Sequence, residues 1–348
     1  MKKIVHIVDS MERGGQEAFI LDLTSEQKKM GFDTSVICLY QKGILAEKAE
    51  SIGIKLISLD GIRLSKKQII RLLSQHLLKN KYDAIHTHNR QPLFFSILAA
   101  PSLRSKIVNT RHGNGVRGIY WTLAALFCKK IVNVSADLFE QSNWINRVLL
   151  KHKNEVIKNG INIQKAISTG ANIGNLIIVG RLNPVKNHKL ALNILKKCLD
   201  RGMHVKLTIV GDGQERKTVE TEIERLNLQN NVDLLGDRSD VNQLLLNADI
   251  FLLTSFSEGH SIALLEASGA GLPSIVTNVG GNAEIVQQNI TGWSININDV
   301  DMFVDKIQTL INDRDLRYQM SKQAKVWVLN NASITSCAKQ YENIYFKP

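Results

Sequence analysis

DIFLLTSFSEGHSIALLEASGAGLP, residues 249–273, carries the reading of the fold. Asp249 to Ser255 is an apolar run of strand length, and the turn after it contains Gly259. The run IALLEA that follows has helical spacing. A strand covered on both faces reads as continuous apolar sequence, and strand–turn–helix is the repeating step of a parallel α/β sheet. Such a turn ends at a helix N-terminus, where backbone N–H groups attract an anion. Glu258 and Glu266 flank that spot. Carboxylates repel phosphate at contact, so the two acids are read as ligands for hydroxyl groups on either side of it; a carboxylate accepts two hydrogen bonds and suits a vicinal diol.

The same step recurs along the chain. KKIVHIV, DTSVICLY, IKLISLD, YDAIHTH, SKIVNTRH and KKIVNVS read as short buried strands, separated by helical runs such as EAFILDLTSEQKKM and KQIIRLLSQHLLKNK. The rhythm breaks at the polar stretch GINIQKAISTGANIGN, residues 160–175. It restarts with LIIVGRL, VKLTIVGDG, VDLLGD, DIFLLTS and PSIVTNVGG, and after Asn298 three helical stretches close the chain. The expectation is an α/β protein of two doubly wound domains, residues 1–165 and 166–328, with residues 329–348 forming a last helix that crosses back to the first domain. A length of 348 residues suits two such cores better than one.

With 44% hydrophobic and 22% charged residues, the composition is that of a globular protein rather than a disordered or fibrous one. No apolar run reaches the roughly 18 residues of a membrane span, and IVHIV after Lys2 and Lys3 is too short for a signal peptide. Cys38, Cys128, Cys198 and Cys337 are scattered without a C-x-x-C pair, as expected of reduced core thiols. The net charge of +12 is one-sided. Residues 1–165 hold 26 Lys and Arg against 13 Asp and Glu, while residues 166–348 hold 18 against 19. A basic half of this kind suits nucleic acid, an anionic lipid surface or a phosphorylated substrate, or is merely a soluble surface.

The best-defined chemistry lies in the second half. Arg181 and Lys186, in VGRLNPVKN just after the strand LIIVG, are placed to converge on one ligand, the first as a planar fork and the second as a point charge. The helix after Gly259 would add the N–H groups of Ile262 and Ala263, with Ser261 as its cap. Two cations and a helix N-terminus at neighbouring strand ends describe a diphosphate site. Glu266, about a turn inside the helix, would hold a ribose, and Glu258 would meet whatever lies beyond the phosphates.

With these residues in place, the sequence resembles a retaining glycosyltransferase of family 4, with the GT-B fold of two facing Rossmann-like domains. The resemblance is carried by G-G-Q-E at Gly14–Glu17, T-R-H-G around His112, V-G-R-L-x-x-x-K at Val179–Lys186, V-G-D-G at Val210–Gly213 and E-x7-E at Glu258–Glu266, with L-E-A-x-x-x-G-L-P and V-G-G after it. It implies that Arg181 and Lys186 bind the donor diphosphate and stabilise the leaving group. Glu266 would hold the ribose; Glu258, Gly259, His260 and Ser261 would lie along the donor sugar. The turn at Asp237 and Arg238 would meet the base through backbone groups. Gly14, Gly15 and Gln16 would approach diphosphate or acceptor, His112 would sit by the donor sugar, and His88 near the acceptor. His112, Arg181, Lys186 and Glu258 are thus the candidate catalytic residues, with no metal or other cofactor. Three departures from the usual pattern are Asn187 after Lys186, His260–Ser261 in place of an aromatic and a proline, and Asn162 in place of Asp.

Other signals have plainer readings. GNGVRG at Gly113–Gly118 matches G-x-G-x-x-G but falls late in its domain, which argues against a dinucleotide site. His86 and His88 would share one face of a strand and with His112 offer three nitrogens to a metal; a cleft position without metal is the expected reading. Asp299-Val300-Asp301 imitates D-x-D but precedes an amphipathic run, so helix capping is expected. Arg63 to Lys81 is basic with apolar residues at helical spacing, as in an interfacial helix, whereas IYWTLAALFCKK, residues 119–130, is expected to cover the sheet. The expected activity is transfer of a hexosyl or N-acetylhexosaminyl group from a nucleotide sugar, UDP preferred over GDP, to a lipid-diphosphate-linked saccharide in bacterial surface polysaccharide assembly. The protein would be cytoplasmic and peripheral at an anionic membrane face. The competing readings are an epimerase or a silent nucleotide-sugar binder on the same fold. A nucleic-acid-binding protein is more remote, because the basic residues are not interleaved with aromatics.

Overall fold

The computed structural model describes residues 1–113, 119–142, 144–163, 166, 168 and 174–347. Most of the GNGVRG stretch and half of the 160–175 break lie outside these residues. Contacts divide the chain into two compact units, Met1–Gly160 with Ile334–Pro348, and Ile161–Ser333.

The first unit is built on seven parallel strands: β1 (Lys3–Ser10), β2 (Asp33–Gln41), β3 (Lys55–Ser58), β4 (Ala84–His88), β5 (Ile107–Arg111), β6 (Lys130–Asn133) and β7 (Asn154–Val156), ordered β3-β2-β1-β4-β5-β6-β7. Its helices are α1 (Gly15–Lys29), α2 (Ala46–Ser51), α3 (Lys66–Asn80), α4 (Arg90–Ala99), α5 (Ile119–Phe127), α6 (Ala136–Glu140) and α7 (Trp144–Leu150). The second unit has six parallel strands, β8 (Asn175–Val179), β9 (Lys206–Val210), β10 (Val232–Gly236), β11 (Ile250–Leu253), β12 (Ser274–Thr277) and β13 (Gly292–Ile295), ordered β10-β9-β8-β11-β12-β13. Between and after them run α8 (His188–Asp200), α9 (Arg216–Arg225), α10 (Val241–Leu246), α11 (Ile262–Gly269), α12 (Asn282–Ile285), α13 (Val300–Asn312) and α14 (Arg314–Asn331). The last helix, α15 (Ile334–Phe346), returns to the first unit and packs on α1. These are two Rossmann-like sheets. Both edge strands β7 and β13 escaped the sequence reading, being three and four residues long and lacking a long aliphatic run.

Alternation along the central strands sorts the first sheet into two unlike faces. Val5 and Ile7 of β1 join Ile37, Ile85 and Ile107 under Ile69, Leu73 and Leu77 of α3 and Leu93 of α4. That apolar stripe of α3 is buried, so α3 covers the sheet and does not present the stripe to an interface. The interfacial reading of residues 63–81 rests on the same spacing; Ile69, Leu73 and Leu77 face the core, while Leu72 and Leu78 of the same helix are exposed. On α5, Leu123 and Phe127 are exposed one turn apart, and on α7 Trp144 and Val148 are exposed. The opposite face carries a buried polar cluster among apolar residues such as Ile4, Val8, Val36 and Val108. His6 of β1 stands directly across from His86 of β4, and His88 from Thr110 of β5. Helices α1 and α15 close over these side chains.

In the second unit, apolar residues of β8, β9, β11 and β12 pack with α8, α9 and α13 into one core, including Leu192, Leu195, Phe303 and Ile307. All four cysteines are buried free thiols, and burial pushes each thiol up to about 12.

Candidate active site

In the second unit the order of strands reverses between β8 and β11, from which the chain moves outward to opposite edges. Ligands of open parallel sheets bind beyond the carboxyl ends of the strands at such a point. The loops after β8, β10, β11 and β12 all emerge at that edge, which brings together the candidate residues of this unit. Arg181 is exposed after β8. Asn183 accepts from the Lys186 N–H, and Asn187 adopts left-handed backbone at φ 49°, as asparagine can. The Thr254 hydroxyl donates to the carbonyls of Lys186 and Asn187 at 3.2 and 3.1 Å, and Phe256 N–H donates to Val185 at 2.8 Å. The turn bearing Lys186 is thereby fixed to the loop after β11.

The two loops meet in a charged pair. Lys186 Nζ donates to Glu258 Oε1 at 2.6 Å, and the Ser255 hydroxyl donates to the same oxygen at 2.6 Å. The Glu258 side chain is 10% exposed, so the pair is largely shielded from water, which strengthens its charge–charge attraction. Ser261 caps α11 by accepting from Leu264 N–H, so the amides of Ile262 and Ala263 head the helix. Glu266 follows Ile262 by four residues and Ala263 by three, on the same side, and is half-buried. His260 is buried. Arg238 is held by both oxygens of Asp240 at 2.8 and 2.7 Å, which leaves backbone groups at Asp237–Arg238 for any ligand there. Sequence reasoning missed the supports: Ser255, Thr254, Asn183 and Thr277, whose hydroxyl donates to the Ser255 carbonyl at 2.7 Å. Gly280, quoted only within V-G-G, is one more. At φ 52° a Cβ there would lie 1.9 Å from the Glu258 carbonyl oxygen.

The first sheet has its own reversal, between β1 and β4. Gly14 and Gly15 open α1 after β1, and Gln16 Oε1 accepts from Asn89 Nδ2 at 2.5 Å. Asn89, at φ 68°, also accepts from His112 N–H at 3.4 Å. One asparagine thus joins the loops after β1, β4 and β5 and brings Gln16 to His112, a role that no motif signalled. His88 is corrected: it is 1% exposed, with Nε2 bonded to His6 and Nδ1 to His112, both at 3.0 Å, so it presents no nitrogen to an acceptor. Burial holds His6 down to about 4 and His112 to about 3, and His86 and His88 well below the usual imidazole range.

Residues 13–165 match the family described as Glycosyltransferase Family 4, and residues 164–327 match Glycosyl transferases group 1. The chain belongs to the group 1 glycosyl transferases.

The glycosyltransferase is 28% identical over 301 residues to the UDP-Gal:alpha-D-GlcNAc-diphosphoundecaprenol alpha-1,3-galactosyltransferase of Escherichia coli, covering 77% of this chain and 76% of that one. It is 26% identical to the N-acetyl-alpha-D-glucosaminyl L-malate synthase of Bacillus anthracis, over 77% and 75% of the two chains. Among solved structures, the Anabaena protein HepE in complex with UDP-glucose superposes with a TM-score of 0.85 at 19% identity, covering 99% of each chain. A glycosyltransferase from Rickettsia africae gives 0.85 at 23% identity, covering 99% of this chain and 97% of its own. The fold is GT-B.

Two further motifs in the glycosyltransferase resolve on geometry. His6, His86 and His88 each bring a ring nitrogen within 4.8 Å of the others, a spacing open to a metal. All six of their nitrogens, however, take part in hydrogen bonds, to one another, Gln27, Thr110, Tyr345 and His112. Asp299 accepts from Met302 N–H and caps α13, while Asp301 pairs with Lys197 and Arg201, so both acids of the D-x-D imitation have structural partners.

Proposed function

We propose that this glycosyltransferase moves a hexosyl or N-acetylhexosaminyl group from a UDP-sugar to a lipid-diphosphate-linked saccharide, with retention at the anomeric carbon. The observation that carries the reading is the Lys186–Glu258 pair at the reversal of the second sheet, beside Arg181 and the head of α11. Arg181, Lys186 and the Ile262 and Ala263 amides take the diphosphate, and Glu266 takes the ribose. Glu258, Gly259, His260 and Ser261 meet sugar hydroxyls, and backbone at Asp237–Arg238 meets the base. From the first unit, Gly14, Gly15 and Gln16 serve diphosphate or acceptor, and His112 the donor sugar.

In the reaction the bond from the anomeric carbon to the phosphate oxygen breaks, and a bond from the acceptor oxygen forms on the same face. The acceptor proton passes to the departing phosphate oxygen, and UDP leaves. Arg181 and Lys186 stabilise the charge that develops on that oxygen, the part a metal plays elsewhere, so no metal is required. The relatives support the donor and acceptor: the Escherichia coli enzyme is named for UDP-Gal and a diphosphoundecaprenol acceptor, and HepE was solved with UDP-glucose.

No helix among the described residues is long and apolar enough to cross a membrane. Access to a lipid acceptor is assigned to peripheral docking, in surface polysaccharide assembly at the inner face of the cytoplasmic membrane. The exposed Leu123, Phe127, Trp144 and Val148, with Arg104 against Phe127 and Arg147 on α7, support this.

Calorimetry with UDP, GDP and their sugar conjugates tests the donor. Preference for a uridine diphosphate, lost in Arg181→Ala, is expected; no binding by any of them overturns the reading. Proton NMR of the first-formed product reads the anomeric configuration, and inversion would remove the front-face mechanism. Flotation with anionic vesicles, lost in Phe127→Glu/Trp144→Glu, tests docking; equal flotation of both proteins would dismiss this surface.

A further inference from the structure

The polar cluster on the first sheet holds one continuous hydrogen-bonded path. It runs from His112 Nε2 to His88 Nδ1 at 3.0 Å, from His88 Nε2 to His6 Nδ1 at 3.0 Å, and from His6 Nε2 to Gln27 Oε1 at 2.8 Å. Gln27 Nε2 continues to the Tyr345 hydroxyl at 3.3 Å, and that hydroxyl to His86 Nδ1 at 2.6 Å. His86 Nε2 then meets Thr110 Oγ1 at 2.7 Å, and Thr110 the Tyr341 hydroxyl at 2.9 Å. Gln27, His6, His86, His88, Thr110, Tyr341 and Tyr345 are all buried.

A buried imidazole is neutral, and a neutral imidazole has one N–H and one lone pair. The direction of each bond therefore fixes the next. Gln27 Oε1 only accepts, so His6 carries its proton on Nε2 and accepts at Nδ1. His88 must then donate from Nε2 and accept at Nδ1, and His112 must donate from Nε2. On the other branch the Gln27 amide donates to Tyr345, Tyr345 to His86 Nδ1, and His86 from Nε2 to Thr110. With the Gln27 oxygen toward His6, this arrangement satisfies every ring nitrogen from His6 to His86. His112 Nδ1 is left as a buried lone pair that makes no hydrogen bond among the described residues.

We infer that Gln27, acting through His6 and His88, fixes His112 with its proton on Nε2, so that Nδ1 is held as a hydrogen-bond acceptor. The group that His112 recognises must then donate, as a hydroxyl does and a phosphate or carboxylate oxygen does not. His6, His88 and Gln27 are positioning residues, while His112 is the side chain that meets the ligand. Calling that hydroxyl a sugar's rests on the proposed transfer reaction; the tautomer itself does not.

Full-length protein labelled with nitrogen-15 in its histidine rings gives the test, through two-bond proton–nitrogen correlation spectra at neutral pH. His112 is identified by the signal missing from His112→Gln. The expected spectrum has the proton on Nε2 in His6, His88 and His112 alike. In Gln27→Leu the Nδ1–H population at His112 rises by roughly tenfold, the change expected on losing one buried hydrogen bond. Gln27→Glu, whose carboxylate also accepts from His6, keeps the wild-type pattern at His6, His88 and His112, although it no longer donates to Tyr345. A wild-type His112 protonated on Nδ1 overturns the inference, as does an unchanged His112 spectrum in folded Gln27→Leu. Should Gln27→Leu not fold, the wild-type and Gln27→Glu spectra still decide. Calorimetry with UDP-sugars on the same samples separates the two readings. Absent binding with the Nε2–H tautomer sinks only the transfer reading, and normal binding with the reverse tautomer sinks only this one.

Discussion

Gly280 and Ser255 show how single residues shape the candidate site without touching a ligand. Any Cβ at position 280 would drive into the Glu258 carbonyl, and the positive φ adds strain of about 1–3 kcal/mol. Gly280→Ala is therefore expected to weaken donor binding by roughly tenfold or more while lowering the melting temperature by only a few degrees. Calorimetry beside a thermal melt checks this, and unchanged affinity would remove the Gly280 contact from the site. Ser255→Ala removes one of the two donors to Glu258 Oε1, a charge-assisted bond worth about 1.5–3 kcal/mol. Steady-state kinetics should show transfer reduced by roughly tenfold or more in a folded variant; wild-type turnover would show that Lys186 alone holds the carboxylate. Glu258, Glu266, Arg181 and Lys186 were legible in the sequence because charged residues at spaced motif positions declare their chemistry. Ser255, Gly280 and Asn89 were not, because their contribution is a contact to a neighbouring loop that the local sequence does not name.

At the scale of elements, the polar cluster on the first sheet sets a pH limit. The unfolded chain takes up protons on His6, His86, His88 and His112 near pH 6.5, whereas burial keeps the folded ones neutral far below it. Each folded pKa is depressed, so no stability is lost above pH 6.5, and it falls as pH drops from there toward about 4. Each histidine contributes about 1.4 kcal/mol per pH unit, and four together about 5 kcal/mol by pH 5.5. That equals the low end of a domain's whole stability. Urea unfolding of the first unit should shift to much lower midpoints between pH 7 and 5.5. The second unit, where burial holds His188 to about 4, should shift less. Equal shifts in both would contradict the assignment. Helices α3 and α5 teach a related lesson. Both read as apolar stripes beside basic residues, and each turns one set into the core, Ile69, Leu73 and Leu77 or Trp121, Ala124 and Ala125, while leaving another exposed, Leu72 and Leu78 or Leu123 and Phe127. Periodicity identifies a helix with an apolar side, but only its neighbours decide what that side meets.

For the whole molecule, the chain's path decides what can fold alone. Residues 161–333 form a continuous unit, but the first unit needs α15 from the far end of the sequence. Tyr341 is fully buried there, Thr335 donates to Glu26, and Lys129 reaches the Tyr345 carbonyl at 3.0 Å. Losing one large buried aromatic costs about 3–5 kcal/mol. A 161–333 fragment is expected to unfold cooperatively in urea, whereas a 1–160 fragment should be unstable or insoluble until a 334–348 peptide is supplied. Cooperative unfolding of 1–160 by itself would show α15 to be dispensable.

By itself the sequence determined the alternation of buried strands and helices, two parallel sheets, and the charged residues that gather at the edge of the second. These follow from local periodicity and from motifs that each lie within one strand–turn–helix step. Tertiary structure alone decided that His88 is an interior link rather than an acceptor ligand, and that a buried Gln27 orients a line of histidines. The pairs that matter there, His6 with His88 and Gln27 with Tyr345, are separated by 82 and 318 residues. Their hydrogen bonds exist only because strand order and a returning helix bring distant segments into contact, and burial then leaves each imidazole one proton and one direction in which to use it.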